Sequence, residues 1–290
     1  MEKIALITDT TSDLSEDILE KYDIKQLAFR IIYKDRDYKD KFDISSKEVY
    51  ENLKVEVPTS SLPSMEDMDK LFTQLEDEGY THVIAVVLSS GLSGIYNGIK
   101  IVSENHPKLT TYICDSKSIS LGEGVVLMEC GKMIENGKKF NEIVEVIPKI
   151  RESIKTFFVV GTLEYLKKGG RIGKVAGTIA ELLNIKPIIS IDNEDGKYYT
   201  YTKVRGRKQS LAKLVDIVKE ILEKGKCKIY IMHGNAEKEA NAIFDILKNL
   251  PNVTYSMIGG CISPVSGAHS GPGLVGVACL KDMDYFEGGN

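Results

Sequence analysis

The feature that most constrains this fold is an alternation, in the first half of the chain, between short apolar runs and helical patterns. Ile4–Ile7 and His82–Leu88 are short apolar runs, whereas Met68, Phe72 and Leu75 recur at the spacing of one helix face. This alternation is typical of βαβ units, in which helices connect parallel strands. We therefore predict an α/β fold whose N-terminal domain is a mostly parallel α/β/α sandwich.

Local signals place further elements in this half. Leu27, Phe29, Ile31 and Tyr33 alternate with polar residues, which predicts one half-buried strand. The segment Ser45–Glu48 has serine followed three residues later by glutamate, which is the pattern of a capping box and predicts a helix start.

The second half of the chain has a different pattern. Lys186–Ile191 and Lys197–Val204 are β-rich runs joined by the turn-forming residues Asn193–Gly196, which predicts a hairpin. Its sheet is therefore expected to be mixed or antiparallel. Because 290 residues exceed the size at which one core usually stops growing, we predict two α/β domains, 1–155 and 156–290.

Composition narrows the classes of function. The chain is 42% hydrophobic and 28% charged, and no apolar run approaches the roughly 20 residues that cross a bilayer, so we expect a soluble protein with at most transient membrane contact. The apolar run near the N-terminus is too short for a signal peptide, which favours the cytoplasm. A net charge of −4 without a concentrated basic run argues against nucleic acid as the main partner.

The five cysteines and four histidines are scattered along the chain. The cysteines are odd in number and lack a C-x-x-C arrangement, so neither a disulfide framework nor a zinc site is expected. We interpret the cysteines as small buried hydrophobic residues. The sequence predicts no metal and no cofactor.

Hydroxyl-rich loops follow the predicted parallel strands. They are Thr8–Asp13, Ser89–Gly94 and Asp115–Gly124. Any one of these loops is explained by serine, threonine and aspartate capping the next helix. Together, at the carboxyl ends of parallel strands, their hydroxyls and free helix N–H groups predict a site for a carboxylate or a phosphate.

Other motifs carry weaker hypotheses. Gly91–Gly94 lacks the G-x-S-x-G pattern of a nucleophilic serine, and Gly271–Gly276 precedes a β-rich run rather than a dinucleotide-binding helix. Asp9 and Asp13 suit a cation or, more simply, a helix cap. In Ser266–Gly273, glycines and serines surround a histidine that has little core to pack into, which indicates either a site residue or a buried structural histidine.

Several of these segments together resemble the DegV family of bacterial fatty-acid-binding proteins along nearly the whole chain. The matching stretches, in chain order, are Thr8–Leu14, Pro58–Ser64, Ser89–Gly94, Asp115–Ser120, Lys168–Ile172, Ile185–Pro187 and Gly267–Gly273. Each stretch is short, but their common order along the chain is specific.

The resemblance implies roles for individual residues. In that family, the fatty acid carboxyl group is held by hydroxyls that match Ser60 and Ser93, and Ser61 belongs to the same loop as Ser60. The family's Gly-Gly-Arg arginine and C-terminal histidine match Arg171 and His269, which would face the headgroup or a partner. A further arginine for partner engagement best matches Arg205. The sequence departs from the family pattern at Leu62 and Ile95, where glutamine and threonine are common.

The resemblance also implies a function without catalytic residues in this chain. The protein would carry one long-chain fatty acid, with no other cofactor, and present it to a separate fatty acid kinase catalytic subunit that forms an acyl phosphate for phospholipid metabolism. The main alternative is an enzyme that acts on a small phosphorylated or carboxylated substrate at the hydroxyl-rich sheet edge. A third hypothesis is a lipid store or transcriptional accessory protein without a kinase partner.

Overall fold

The computed structural model describes residues 2–178 and 184–283 of the chain. The strands in this part are β1 (Ile4–Asp9), β2 (Ile24–Leu27), β3 (Arg30–Ile32), β4 (Asp37–Lys39), β5 (Thr59–Ser61), β6 (His82–Val87), β7 (Thr110–Asp115), β8 (Ile154–Val159), β9 (Ile185–Ile191), β10 (Tyr198–Arg205), β11 (Cys227–Gly234), β12 (Val253–Cys261) and β13 (Leu274–Lys281). The α-helices are α1 (Glu16–Lys21), α2 (Ser46–Asn52), α3 (Met65–Asp77), α4 (Ile95–Ser103), α5 (Leu121–Glu135), α6 (Phe140–Ser153), α7 (Glu164–Lys168), α8 (Arg207–Leu222), α9 (Glu237–Leu247) and α10 (Pro264–Ser270). Short 3-10 helices span Thr10–Ser12 and Gly173–Thr178.

The first sheet is parallel, with the strand order β2-β1-β6-β7. Its two central strands are runs of aliphatic residues buried on both faces, as a parallel sheet covered by helices requires. The predicted α/β fold with a mostly parallel N-terminal sheet is confirmed.

The second sheet has six strands in the order β10-β9-β8-β13-β11-β12. Neighbouring strands are antiparallel except β11 and β12, so the sheet is mixed, as predicted. The predicted hairpin forms β9 and β10, with Tyr198 opposite Ile191.

The six-stranded sheet buries a different core on each face. Because side chains alternate along a strand, Phe157 and Val159 of β8 join the core under α8 and α9, whereas Phe158 and Val160 join the larger core that continues into the parallel sheet. The second of these cores therefore lies between the two sheets.

Helix α5 fills that space. It contacts β1 and β6 of the parallel sheet and β8, β11 and β13 of the mixed sheet. Almost every residue of its first three turns is buried, including Gly122, Gly124 and Gly131. A helix covered on all sides is mostly apolar, and the glutamates that this helix carries in its first three turns, Glu123 and Glu129, are buried with it.

One strand prediction was wrong. Leu27, Phe29, Ile31 and Tyr33 are all buried, as their alternation indicated, but they do not lie on one strand. β2 ends at Leu27, and β3 belongs to a separate antiparallel sheet with the order β4-β3-β5. Between the two strands, the Phe29 N–H donates to Thr10 Oγ1 at 3.3 Å and its carbonyl accepts from the Asp40 N–H at 2.8 Å. These bonds take the backbone out of the first sheet.

Other local predictions can also be compared with the structure. The capping box is present, since Ser45 Oγ accepts from the Glu48 N–H at 3.3 Å and Glu48 accepts from the Ser45 N–H at 2.8 Å. Four cysteines are free and buried, but Cys261 is exposed, because it lies at the end of the edge strand β12. Among the described residues, no helix has the length and hydropathy needed to cross a membrane.

The division into domains 1–155 and 156–290 stays a prediction. The strands of the parallel sheet lie between Ile4 and Asp115, and those of the mixed sheet lie between Ile154 and Lys281. The shared core around α5 nevertheless joins the two sheets closely.

Candidate functional site

A deep cavity lies between the mixed sheet and α5, and we call it the tunnel. Its volume, counted to its opening, is about 890 Å³. Most of its wall is apolar, as required for a site that takes a hydrocarbon. The apolar residues that line it are Phe29, Leu88, Leu92, Ile119, Leu121, Phe158, Leu166, Tyr198, Tyr230, Met232, Ile262, Val265, Leu274, Val277 and Ala278.

Four polar residues lie together on the tunnel wall, at a place that we call the mouth and define by Ser60, Ser93, Arg171 and His269. These residues come from four separate parts of the chain: β5, the loop after β6, the loop after α7, and α10. All four are partly buried. The fold therefore brings four of the predicted site residues together at one point.

The closest contact at the mouth joins Ser60 and His269. Ser60 Oγ lies 2.7 Å from His269 Nε2. Ser60 is oriented by the small sheet, where it lies opposite Ile31. The segment Ser266–Gly273 was predicted as a region with little core to pack into, but most of it folds as the buried helix α10, with Val265 and Ala268 in the core. His269 projects from the last turn of that helix.

Gly169 is needed for this arrangement because its backbone packs directly on the imidazole. A Cβ atom at position 169 would lie 2.1 Å from His269 Nδ1. The Gly169 carbonyl also accepts a bond of 2.7 Å from Arg171 Nη1. Arg171 Nε reaches the Leu92 carbonyl at 3.4 Å, which links this loop to the residue before Ser93.

Burial, and then the positive charge of Arg171, lowers the pKa of His269 from 6.5 to about 4. The imidazole is therefore neutral near pH 7 and carries one N–H. At Nε2 it either donates to Ser60 Oγ or accepts the Ser60 hydroxyl proton, depending on its tautomer. Arg171 supplies the permanent positive charge of the mouth.

Ser93 has a hydroxyl proton that is not used within the described part of the protein. Its oxygen accepts a bond of 3.3 Å from the Ile95 N–H at the start of α4. Thr11, Ser120, Ser266 and Ser270 add further hydroxyls to the tunnel wall. Two of the hydroxyl-rich loops identified in the sequence thus contribute Thr11 and Ser120, although neither residue was predicted individually.

Two predicted site residues lie outside the tunnel lining. Ser61 is exposed, since it follows Ser60 on a strand and points to the opposite face. Its hydroxyl contacts the Leu62 carbonyl at 3.3 Å. Arg205 is exposed at the end of β10, whereas the nearby Arg207 pairs with Glu239, its Nε lying 3.1 Å from Oε1.

Buried carboxyl groups accept hydrogen bonds from segments that form the mouth and the tunnel wall. These carboxyl groups were not predicted from the sequence as a group. Asp13 accepts a bond of 2.7 Å from the Ser263 N–H and one of 2.6 Å from Ser120 Oγ, and Asp40 accepts one of 2.8 Å from the Val265 N–H. Both acceptors therefore hold the start of α10. Burial raises the pKa of Asp13, and it raises the pKa of Asp40 to about 7.

A related pair lies under Thr11. Asp9 accepts from the Thr11 hydroxyl at 2.6 Å and from the Leu88 N–H at 2.8 Å, and Glu123 accepts from Thr8 Oγ1 at 3.1 Å. Burial raises the pKa of both carboxyl groups, and the charge of Asp9 raises that of Glu123 further. Of the two hypotheses for Asp9, capping is confirmed, because its side chain accepts from the Thr11 N–H. Over the described residues, no cluster of three or more His, Cys, Asp or Glu side chains is arranged to hold a metal ion.

Comparison with known proteins gives consistent matches over nearly the whole chain. A family model described as "Uncharacterised protein, DegV family" matches residues 3–282. A DegV domain-containing protein of Clostridium acetobutylicum is 60% identical over 282 residues, which cover 97% of this chain and 100% of the relative.

Solved structures share the same architecture. The fatty acid binding DegV family protein of Streptococcus agalactiae is 34% identical, with a TM-score of 0.89 over 98% of this chain and 100% of that one. A stearic acid-binding protein of Eubacterium ventriosum is 26% identical, with a TM-score of 0.85 over 97% of this chain and 98% of that one. The overall fold of this chain is thus shared with these proteins.

Proposed function

Because this chain belongs to the DegV family, whose solved members include fatty acid-binding proteins, we propose that it binds one long-chain fatty acid in the tunnel. The observation that carries this proposal is the polarity of the cavity: a mostly apolar tunnel has hydroxyls, an imidazole and a guanidinium together at its mouth. A fatty acid has the same division into a long apolar chain and one anionic group.

The apolar part supplies most of the binding energy. Each buried methylene contributes about 0.8 kcal/mol, so a long chain binds tightly before its headgroup makes any contact. This argument favours a fatty acid over the small phosphorylated or carboxylated substrate of the alternative hypothesis, because a small polar ligand would leave the apolar wall unused.

The headgroup would lie at the mouth. Ser93 has a free hydroxyl proton to donate to a carboxylate, and Ser60 can donate its own if His269 Nε2–H bonds to the Ser60 oxygen. Hydrogen bonds to a charged group contribute about 1.5–3 kcal/mol each. Arg171 favours the anion through its charge, since its guanidinium already donates to backbone carbonyls.

We further propose that a separate ATP-dependent kinase receives the carboxylate presented in this way. Neutral hydroxyls orient a carboxylate without sequestering it in a tight ion pair, which leaves an oxygen free to attack a phosphoryl group. Arg205 is exposed and forms no ion pair with a described residue, so it is available to a partner, whereas Arg207 is occupied by Glu239. Ser61 would contribute to presentation of the carboxylate only through the conformation of its loop.

A binding titration with a blocked tunnel tests the first proposal. Gly276 lines the tunnel on β13, and a Cβ atom there would make only ordinary contacts, the nearest 3.4 Å from Phe158 Cβ. Gly276→Leu should therefore fold and fill the cavity. We expect delipidated wild-type protein to bind oleate in a one-to-one ratio and Gly276→Leu to lose at least about tenfold in affinity, since the chain is excluded.

Gly177→Leu is the matched control. Gly177 is exposed, has no tertiary neighbour among the described residues within 4 Å of where its Cβ atom would lie, and is outside the tunnel lining. The variant Gly177→Leu should bind oleate like the wild type. If the wild type fails to bind oleate, or if both variants bind it equally well, the tunnel is not a fatty acid site.

The kinase proposal has its own experiment. The purified chain loaded with labelled oleate is incubated with ATP and magnesium, with and without a bacterial fatty acid kinase catalytic subunit, and acyl phosphate is trapped as the hydroxamate. We expect hydroxamate only when the kinase is present. Hydroxamate from the chain alone would make this protein an enzyme and contradict the proposal.

A further inference from the structure

A second cavity lies on the other side of the tunnel wall. It is an open groove of about 1610 Å³, counted to its mouth, and we call it the rear groove. It is bordered by the end of α6, by the loop after β7 with Ser116 and Ser118, and by the outer ends of β8, β9 and β10. Nothing in the proposed function assigns a role to it.

The tunnel and the rear groove meet at Thr156, which is hydrogen-bonded to Ser118. Thr156 lines both cavities, and Ser118 lines the groove. Thr156 Oγ1 lies 3.1 Å from Ser118 Oγ. Thr156 is on the same face of β8 as Phe158, and it is partly exposed although its neighbours along the strand toward the tunnel are buried. The two cavities therefore adjoin at this hydroxyl pair.

Along β13, this pair lies beside the last residue that lines the tunnel, whereas Leu274 is the first. Thr156 is opposite Ala278 on β13, and Ala278 is opposite Tyr230 on β11. Leu274, which follows the helix that carries His269, lies four residues earlier on β13. Strands rise about 3.3 Å per residue, so this row is roughly 13 Å beyond Leu274.

Helix α5 also packs tightly against this pair of residues. A Cβ atom at Gly122, in the first turn of α5, would lie 2.2 Å from Ser118 Oγ and 2.4 Å from Thr156 Oγ1. The helix backbone therefore packs directly on the two hydroxyls. A hydrocarbon chain that reached this point would have to displace side-chain atoms to continue.

We propose that Ser118 and Thr156 close the tail end of the tunnel and set the longest fatty acid that the protein accepts. The inference rests on the proposed function and names the residues that limit its substrate. Replacing both residues with alanine removes their hydroxyls and the Thr156 methyl group, which would open the tunnel into the rear groove, so that chains longer than the tunnel extend outward past Lys155 and Lys281, two residues that line the groove.

The test compares affinities along a series of saturated fatty acids: myristic, palmitic, stearic, arachidic and behenic acid. In the variant Ser118→Ala/Thr156→Ala, the affinity for behenate relative to palmitate should rise about tenfold over the wild-type ratio, because additional methylenes become accommodated. In Thr156→Leu, which thickens the wall, the affinity for stearate relative to myristate should fall by about the same factor.

Ser153→Ala is the matched control, since Ser153 lines the rear groove but not the tunnel, and its hydroxyl donates to the Ile150 carbonyl at 2.7 Å. It should keep the wild-type ratios. Unchanged ratios in both wall variants, with palmitate still bound, would overturn this inference and leave the proposed function intact. A wild-type protein that binds no member of the series would overturn the proposed function itself.

Discussion

At the scale of residues, Ser93 is the hydroxyl at the mouth with the most capacity left for a ligand. Its oxygen accepts from the Ile95 N–H, and its proton has no acceptor among the described residues. Ser60, in contrast, already shares a short bond with His269. The two serines that the family resemblance singled out are therefore not equivalent.

This difference leads to a prediction for Ser93→Ala. Loss of one hydrogen bond to a carboxylate, worth about 1.5–3 kcal/mol, should weaken palmitate binding roughly tenfold to hundredfold. Methyl palmitate, which has the same chain but no charge, should bind the variant nearly as well as the wild type. Calorimetric titration measures both ligands, and an equal loss for both would mean that Ser93 supports the wall rather than the headgroup.

His269 leads to a prediction about pH. Its pKa is lowered to about 4 in the folded protein from 6.5, so below pH 6.5 the unfolded chain binds a proton that the folded chain does not. This site therefore contributes stability above pH 6.5 that is lost as the pH falls toward 4. His269→Gln lacks this group. Urea unfolding at several pH values should show the wild type losing stability relative to the variant over that range.

The comparison with the variant is needed because the buried carboxyl groups act in the opposite direction. Burial raises the pKa values of Asp9, Asp13, Asp40 and Glu123, which stabilises their protonated forms in the folded state and lowers stability as the pH rises. These groups are present in both proteins, so their effects cancel in the difference. A difference in unfolding free energy that does not vary with pH would contradict the assigned cause.

At the scale of elements, α10 depends on a carboxylate from the first loop of the chain. Asp13 accepts bonds from the Ser263 N–H and from Ser120 Oγ, and it is 4% exposed, so these bonds are shielded from bulk water. The residue thus connects the loop after β1, the start of α5 and the helix that carries His269.

We predict that Asp13→Ala loosens α10 specifically. A buried N–H left without an acceptor costs about 1–3 kcal/mol, and the cost falls on the start of this helix. Hydrogen exchange followed by mass spectrometry should show faster exchange in residues 264–270 and unchanged exchange in α9, which packs on the other face of the mixed sheet. Equal acceleration throughout the protein would indicate a global loss of stability instead.

Elements with strong local signals were predicted correctly from the sequence. The parallel sheet followed from alternating periods, the capping box at Ser45 from one serine and one glutamate, and the β9–β10 hairpin from its turn residues. The split between β2 and β3 was missed because burial of Leu27 and Ile31 is the same in either arrangement. Only bonds to Thr10 and Asp40, distant in sequence, decide where the backbone goes.

α10 was missed for a related reason. Its glycines and serines have low helix propensity, so the local sequence indicates a loop. In the structure, Ser263 Oγ caps the helix at the Ser266 N–H, and buried carboxylates accept the N–H groups of Ser263 and Val265. Tertiary contacts therefore stabilise a helix that the sequence alone does not predict.

At the scale of the whole molecule, the tunnel is the feature that no local pattern predicts. Its wall takes Leu121 from α5, Tyr198 from β10, Tyr230 from β11 and Ala278 from β13. Each of these residues has an ordinary apolar environment in its own element. The cavity exists because α5 packs between two sheets without filling all the space between them.

The polar end of the site was more accessible to sequence reasoning than its apolar wall. Ser60, Ser93, Arg171 and His269 come from four distant segments, and the order of matching motifs along the chain was the signal that grouped them. The three-dimensional arrangement adds the Ser60–His269 contact and the wall formed by Ser118 and Thr156.

The content of the purified protein tests the central claim most directly. A fatty acid bound in the tunnel stabilises the folded protein, by about 2.7 kcal/mol at a ligand concentration one hundred times the dissociation constant. We therefore expect host lipids to be retained through purification. Native mass spectrometry, followed by organic extraction and chromatography, should find one long-chain fatty acid per protein molecule. Extracts without fatty acid from natively folded protein, together with no rise in melting temperature on adding oleate or palmitate, would contradict the account.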